Sequence, residues 1–190
     1  MEKSSRPRTA GAAFAYPKNE WRKKIMAKKR MAWETAHYLG VQVDGEGEET
    51  IHLLGVGIKS LNRSPSPKTT TDAYINEKNG SPTITGYDNS FALNYDDIVD
   101  DDAVKALQRV ADDQLTGTDA EFYYYRVDLL AEAEAGAYPA RRYRVACEPG
   151  DETNEAASVV SASCTLRQIG DLEKGTFNTS TKTFTPDSEA

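Results

Sequence analysis

The chain has few of the residues that catalysis and metal binding require. Its 190 residues include two histidines and two cysteines, and these do not cluster at the spacing of a zinc site, which needs three or four ligands. The sequence has no Gly-x-Ser-x-Gly nucleophile elbow and no Gly-x-x-x-x-Gly-Lys-Ser/Thr phosphate loop. Without a nucleophile–base set, the sequence predicts a protein that is not an enzyme and that holds no cofactor or metal.

Long apolar runs are also missing. No stretch approaches the ~20 apolar residues of a membrane-spanning helix. No apolar segment of ~7–15 residues follows the basic N-terminus, so a signal peptide is not expected. The hydrophobic content of 38% is low for a self-contained globule. The length fits one domain, part of which we expect to be exposed or to be ordered by another copy.

The few cysteines and histidines lie in segments with the alternation of strands. Cys147 and Cys164 each fall on the apolar face of a predicted strand, which indicates buried, reduced thiols. A disulfide would need neighbouring strands with matched Cβ positions, and the sequence alone does not show these. His37 and His52 share strand faces with aliphatic residues, so packed, hydrogen-bonded side chains are favoured over ligands or bases.

Charge is distributed unevenly along the chain. Residues 1–31 carry ten Lys or Arg and two Glu, a net charge of +8. Because the whole chain carries −7, residues 32–190 carry −15. The basic segment could bind nucleic acid or the acidic surface of another copy. This asymmetry predicts charge-guided contact but does not choose between the two.

Most of the chain after the basic segment alternates with the period of two that is typical of strands. Asn79-Gly80 lies between β-prone runs and predicts a hairpin turn that follows a strand over 73–76. An acidic turn over 44–49 joins a second predicted hairpin. Strands are predicted within residues 37–43, 51–58, 73–76, 90–97, 121–131, 140–148 and 157–170. A further strand is predicted to lead into Gly86-Tyr87, and a short β-like element is predicted within 173–186.

Two segments interrupt this pattern. Residues 59–71 contain Pro65 and Pro67, which remove backbone donors, so a long loop is predicted there. Residues 100–115 change to the period of a helix. Asp100 is the predicted N-cap, and Gly117 is predicted to end the helix. The apolar stripe of this helix is predicted to comprise Val104, Leu107, Val110 and Ala111.

Strands in series without alternating helices predict a mainly β fold. We expect an antiparallel β-sandwich or partial barrel over 32–186 with one flanking α-helix, an extended arm over 1–31 and a polar tail over 187–190. The tyrosine run 123–125 is expected to pack in a strand or an interface rather than to form a binding platform. The carboxylates of 96–102 are expected to form a solvated surface rather than a calcium site.

Residues 53–93 resemble the tail tube (major tail) proteins of long-tailed, siphovirus-type bacteriophages. The resemblance lies in an apolar strand ending in Gly-x-Gly, a proline-containing segment, the sequence Tyr-Ile-Asn-Glu at 74–77 and a Gly-Tyr pair about ten residues later. The closing stretch 173–186 is similar to the way in which many of these chains finish. The basic extension 1–31 is longer than the usual lead-in of the family, so no role is carried over to it.

The resemblance implies a structural virion protein. Six copies would close a ring, and rings would stack into the tube through which the genome is ejected into the host. Implied partners are other copies, the tape measure, terminator and tail tip proteins, and double-stranded DNA that passes without specific binding; assembly would occur in the host cytoplasm, without a membrane. The alternatives are a tube subunit of a contractile tail or injection device, and a monomeric β-sandwich binding module.

This interpretation assigns contact and lumen residues. Contacts between subunits are expected in the arm, the proline segment and the Tyr-Ile-Asn-Glu segment, at Trp21, Lys23, Lys24, Ser60, Leu61, Asn62, Arg63, Pro65, Pro67, Tyr74, Asn76 and Glu77. An acidic lumen or surface is expected at Asp44, Glu46, Asp96 and Asp97. The like charge of such a lumen would keep a passing phosphate chain mobile.

Overall fold

The computed structural model describes residues 29–41, 49–76, 78–131 and 136–187. Within these ranges the chain forms ten strands and one α-helix. The strands are β1 (Thr35–Val41), β2 (Thr50–Leu53), β3 (Ile58–Ser64), β4 (Pro67–Asp72), β5 (Ser81–Tyr87), β6 (Ser90–Asp96), β7 (Glu121–Asp128), β8 (Ala137–Thr153), β9 (Ser161–Asn178) and β10 (Thr183–Pro186). The helix α1 spans Asp102–Asp112, and short 3-10 turns span Ala32–Glu34 and Gly117–Ala120.

Eight strands form one antiparallel sheet in the order β2-β1-β7-β8-β9-β6-β3, with β10 pairing with β9. A flat sheet of seven strands would separate β2 from β3 by about 29 Å. The link between Leu53 and Ile58 reaches at most about 18 Å. The sheet must therefore curl so that its edges approach, although hydrogen bonds do not close it in the described residues. The predicted mainly β, antiparallel fold with one helix is confirmed.

Two predictions about the hairpin region were wrong. Residues 59–71 form β3 and β4 rather than a long loop, and the chain turns at 73–76 instead of forming a strand. The prolines fit because Pro65 lies between the two strands and Pro67 is the first residue of β4, which pairs only with β5 among the described strands. The predicted hairpin around Asn79-Gly80 is confirmed, with Asp72 opposite Ser81 as its last pair.

The long strands β8 and β9 extend beyond their predicted bounds. β8 has 17 residues and β9 has 18, so the segment predicted to be a separate element near 173–178 is part of β9. Their pairing register shifts between Arg142 and Arg144 and again between Pro149 and Glu152. Such irregularities bend a strand without ending it, which explains how both strands follow the curl of the sheet.

The sheet buries side chains on both faces. The larger core cluster lies under α1 and contains the buried residues of β6, Phe91, Leu93 and Tyr95. β7 contributes Tyr124 to this cluster and Tyr125 to a smaller cluster that also contains Tyr38 and Phe177. Neither face of β7 is fully solvated. Its tyrosine run packs inside the domain, since Tyr124 and Tyr125 have no exposed surface.

A carboxyl group covers part of the smaller cluster. The Tyr125 hydroxyl donates to Glu49 Oε1 at 2.6 Å, and burial raises the pKa of Glu49. A Cβ atom at Gly40 would overlap the Glu49 carboxylate. Gly40 therefore leaves the space in which this contact forms.

The helix α1 begins one residue later than predicted. Asp101, not Asp100, is the N-cap, and its Oδ1 accepts from the Ala103 and Val104 N–H groups at 3.0 Å. The helix ends at Asp112, before the predicted Gly117, and Ala111 is exposed. The remaining members of the predicted apolar stripe, Val104, Leu107 and Val110, are buried.

The thiols are buried, as predicted, and the first histidine, His37, is half-buried and hydrogen-bonded. Cys147 and Cys164 are free and lie on the adjacent strands β8 and β9, but in register each faces another residue, Leu166 and Pro149 respectively. A hydrogen bond to Cys147 and burial raise the pKa of Cys164. His37 Nδ1 lies 2.6 Å from the Tyr124 hydroxyl, and burial and then Arg126 lower the pKa of His37 to about 4.

His52 is more exposed than His37. Its Nδ1 lies 3.9 Å from Asp102 Oδ2 at the start of α1. Among the described residues, no group of three or more His, Cys, Asp or Glu side chains could hold a metal ion. Over the same residues, no helix has the length and apolar character needed to cross a membrane.

Candidate interaction surface

The strands β4 and β5 form a two-stranded ribbon of residues 67–87, called here the projecting ribbon. They pair only with each other, in a sheet separate from the main one. Every residue of β4 is exposed, and so is every residue of β5 except Gly86. A two-stranded hairpin without a buried face is marginally stable in water, so this ribbon is expected to gain order from a partner.

The projecting ribbon carries large apolar side chains in solvent. Ile75 is fully exposed, and Tyr74, Ile84 and Tyr87 each expose more than half of their surface. Single exposed apolar residues are common, but four on one ribbon are typical of an interaction site. The sequence indicated Tyr74; it gave no signal for Ile84, whose side chain would be inward on an ordinary half-buried strand.

The ribbon continues the hairpin formed by β3 and β6. Those strands end at the pair Ser64 and Ser90, and the ribbon begins at the pair Pro67 and Tyr87. One backbone hydrogen bond spans the break, from the Asp88 N–H to the Ser66 carbonyl at 3.0 Å. Residues 58–96 are therefore one long hairpin with an interruption.

The structure places the predicted contact residues that it describes along this hairpin. Four lie on the edge strand β3, Pro65 lies in the break, Pro67 begins β4, and Tyr74 and Asn76 lie in the turn. Glu77 and the arm residues Trp21, Lys23 and Lys24 lie outside the described residues. The four residues on β3 are Ser60, Leu61, Asn62 and Arg63.

The predicted acidic residues are only partly described. Asp96 ends β6 and forms an ion pair with Lys59, 2.5 Å from its Nζ. Its charge is therefore balanced locally rather than bare. The Asp97 N–H donates to the Val160 carbonyl, and the Asp97 side chain is partly exposed. Asp44 and Glu46 lie outside the described residues.

The exposed surface of the central strands carries balanced charges. Cross-strand pairs join Arg142 to Glu173, Arg144 to Glu121 and Arg167 to Glu148. Surface pairs of this kind contribute little stability each, but Arg142 and Glu173 lie directly opposite each other, and directly opposed unlike charges favour the observed register.

A groove of about 550 Å³ lies beside Val41, Leu115 and Phe122. The two arginines in its lining are already paired, Arg109 with Asp113 and Arg144 with Glu121. A binding pocket for a small molecule usually offers free polar groups that converge on the ligand. The groove is therefore a weaker functional candidate than the projecting ribbon.

The fold matches solved structures, although the sequence matches no protein-family model and no curated protein. The SPP1 tail tube aligns with a TM-score of 0.58 at 15% identity, over 76% of this chain and 77% of that one. The tail of the empty gene transfer agent particle, computed with C6 symmetry, aligns at 0.52 and 10% identity over 76% and 97%. The native virion of a gene transfer agent aligns at 0.52 and 9% identity over 77% and 98%.

These similarities define the fold of the chain. At identities of 9–15% they establish a shared architecture and no shared activity. The chain has the tail-tube fold, as its resemblance to siphovirus-type tail tube proteins implied.

Proposed function

We propose that this protein is a tail tube subunit, a structural virion protein whose copies stack as rings into a hollow tube. The observation that carries the proposal is the projecting ribbon, which holds Tyr74, Ile75, Ile84 and Tyr87 in solvent on a domain with the tail-tube fold. A ribbon that reaches a second copy would bury these side chains. Such contact also explains the low hydrophobic content of a chain that must fold and associate.

Two kinds of contact would build the tube. Contacts around a ring close on themselves, and contacts between rings repeat without closing, so together they give a filament of defined width. Six copies per ring is the proposed number, supported by the six-fold symmetry of the gene transfer agent tail. Among the described strands, β2 and β3 each pair along one side only, so their other sides are available for contacts around the ring.

The bore of the tube would conduct the genome into the host. Residues 32–190 carry a net charge of −15, and like charge would keep double-stranded DNA from binding to the wall. Asp96 is paired with Lys59, so Asp97 together with Asp44 and Glu46 is the better candidate for a bare acidic lining. The tape measure, terminator and tail tip proteins are the proposed partners at the tube ends. The mature protein would reside in the virion tail after assembly in the host cytoplasm, and would carry out no reaction.

The basic segment 1–31 has the opposite charge to the body. Its net charge of +8 supports a contact with the acidic surface of a neighbouring copy rather than with DNA, which the body would repel. This contact would add to the attraction between subunits and would weaken as salt is raised.

Negative-stain electron microscopy of the purified protein tests the proposal. The wild-type protein should form rings or hollow fibres. A variant with Tyr74→Ser and Ile75→Ser should form rings or single subunits without fibres. The matched control Val159→Ser removes an exposed apolar side chain outside the ribbon and should assemble normally. A wild-type protein that remains monomeric at high concentration would contradict the proposal.

A further inference from the structure

The direction of the projecting ribbon is set at its root. Outside that root the ribbon pairs only with itself among the described residues. The root contains Pro65, which has no N–H, and Ser66, whose φ of +34° lies in the left-handed region. Two residues on each side, 65–66 and 88–89, interrupt the ladder between the main sheet and the ribbon. With a single backbone hydrogen bond across this break, the ribbon would pivot unless side chains held it.

Asn89 lies in this break and supplies side-chain contacts of that kind. It is the buried polar residue of the described chain, with 3% of its surface exposed. Its Nδ2 donates to Gln168 Oε1 at 2.6 Å, and its Oδ1 accepts from Arg63 Nη2 at 3.1 Å. Its carbonyl accepts from the Gln168 N–H at 3.0 Å. Asn89 therefore ties the ribbon root to β9 twice and to β3 once.

Gln168 is held in turn. Its Nε2 donates to the Gly170 carbonyl at 2.7 Å, and Gly170 has a φ of +66°. Each end of the Gln168 amide thus has a partner, which fixes the oxygen that Asn89 uses. The buried amide of Asn89 also has a partner at both its oxygen and its nitrogen. It therefore favours one arrangement, because any rotation would leave a polar group unpaired.

We propose that Asn89, with Gln168 and Arg63, is the positioning joint that fixes the angle of the projecting ribbon relative to the main sheet. The inference rests on the proposed function for its purpose, since a ribbon held at one angle reaches a second copy without an ordering cost. The joint itself is a property of the single subunit. Loss of the joint would leave the ribbon folded but free to swing.

The test measures a distance in unassembled subunits. Spin labels are placed at Thr83→Cys on β5 and Asp112→Cys at the end of α1, both exposed, while the native cysteines are buried. The otherwise unchanged protein should give one narrow distance distribution. Asn89→Ala and, as a milder change, Gln168→Leu should each broaden it. Gln168→Glu keeps an oxygen that accepts from Asn89 but loses the donor to the Gly170 carbonyl, so its distribution should be narrower than that of Gln168→Leu.

The control variant is Asn94→Ala. Asn94 lies on β6, the strand that follows Asn89, and donates to Ser60 Oγ at 2.9 Å, so its removal deletes a cross-strand hydrogen bond away from the root. The Asn94 variant should keep the narrow distribution. A narrow distribution in both Asn89→Ala and Gln168→Leu would overturn the proposal.

Assembly is measured separately. If the proposed function holds, Asn89→Ala should slow fibre elongation about tenfold, the equivalent of one lost hydrogen bond. Elongation at the wild-type rate despite a broadened distribution would overturn the part of the inference that concerns assembly. A wild-type protein that forms no fibres would instead remove the proposed function, and the distance measurement would still decide whether Asn89 fixes the ribbon.

Discussion

At the scale of residues, the core depends on aromatic side chains with few polar partners. Tyr124 packs against Phe91 with ring centroids 4.5 Å apart and touches Tyr143 at 5.9 Å. His37 stacks on the same tyrosine and shares a hydrogen bond with its hydroxyl. A protonated His37 would be a cation next to Arg126, which explains why burial and that arginine together keep it neutral.

The low pKa of His37 predicts a pH dependence of stability. Between about pH 6.5 and pH 4 the unfolded chain binds a proton at His37 that the native chain does not. The free energy of unfolding should therefore fall as the pH is lowered through this window, by about 3 kcal/mol at most from this residue. Denaturant unfolding of unassembled subunits at several pH values measures the slope. His37→Gln should reduce the slope, and equal slopes in both proteins would refute the assignment.

Two buried tyrosines make a matched pair. The Tyr143 hydroxyl is buried with no hydrogen-bond partner among the described residues, whereas the Tyr95 hydroxyl donates to Gln108 Oε1 at 2.8 Å. Tyr143→Phe should leave the stability unchanged or raise it by up to about 1 kcal/mol, and Tyr95→Phe should lower it by about 1 kcal/mol. Thermal unfolding compares the two. The opposite order would show that the Tyr143 hydroxyl has a partner.

At the scale of elements, the sequence predicted strands best where one face is buried. β6 was predicted within residues 90–97, and its buried residues Phe91, Leu93 and Tyr95 alternate with exposed or half-buried ones. The ribbon could not be predicted in this way, since all of β4 is exposed and gives no burial pattern. Pro65 and Pro67 favoured a loop because their effect on a central strand is strong, whereas an interrupted two-stranded hairpin accommodates them.

The site was predicted only in part, for a similar reason. Tyr74 and Asn76 were predicted as contact residues through their place in a family-like motif, and both are exposed. Asn89 was missed, since a single asparagine in a turn-like stretch has no sequence pattern that marks it as buried. Its role depends on Gln168, which is 79 residues away in the chain, and such a pairing follows only from the register of β6 and β9.

The identity of the N-cap of α1 can be tested by substituting each of two adjacent aspartates. Three consecutive aspartates, 100–102, lie at the start of the helix, and each has the chemistry of an N-cap, so composition alone could not select among them. Because Asp101 accepts from two helix N–H groups, Asp101→Ala should lower the free energy of unfolding by about 1 kcal/mol. Asp100→Ala should change it by a few tenths at most. Equal losses in the two variants would contradict the assignment.

At the scale of the whole molecule, charge is distributed unevenly along the chain. The segment 1–31 carries +8, and the remainder carries −15. Copies that repel one another through their bodies gain attraction when the basic segment of one meets the body of another. Assembly of this kind should weaken as salt rises, whereas apolar contacts at the projecting ribbon should not.

Deletion of residues 1–31 should therefore affect assembly more than folding. The segment lacks the apolar periodicity of a core element, so the melting temperature of the unassembled subunit should change little. Fibres should be shorter, or should require more protein to form, at low ionic strength. A large fall in the melting temperature of the unassembled subunit, with fibre length unchanged, would assign the segment to the fold instead.

The measurement that bears most directly on tube formation is a three-dimensional reconstruction, by electron microscopy, of the assemblies formed by the purified protein. The expected result is a hollow tube of stacked six-fold rings in which the projecting ribbon of each subunit lies on the adjacent ring with Tyr74 and Ile75 buried. A protein that stays monomeric at high concentration, or fibres in which the ribbon remains in solvent, would contradict the account.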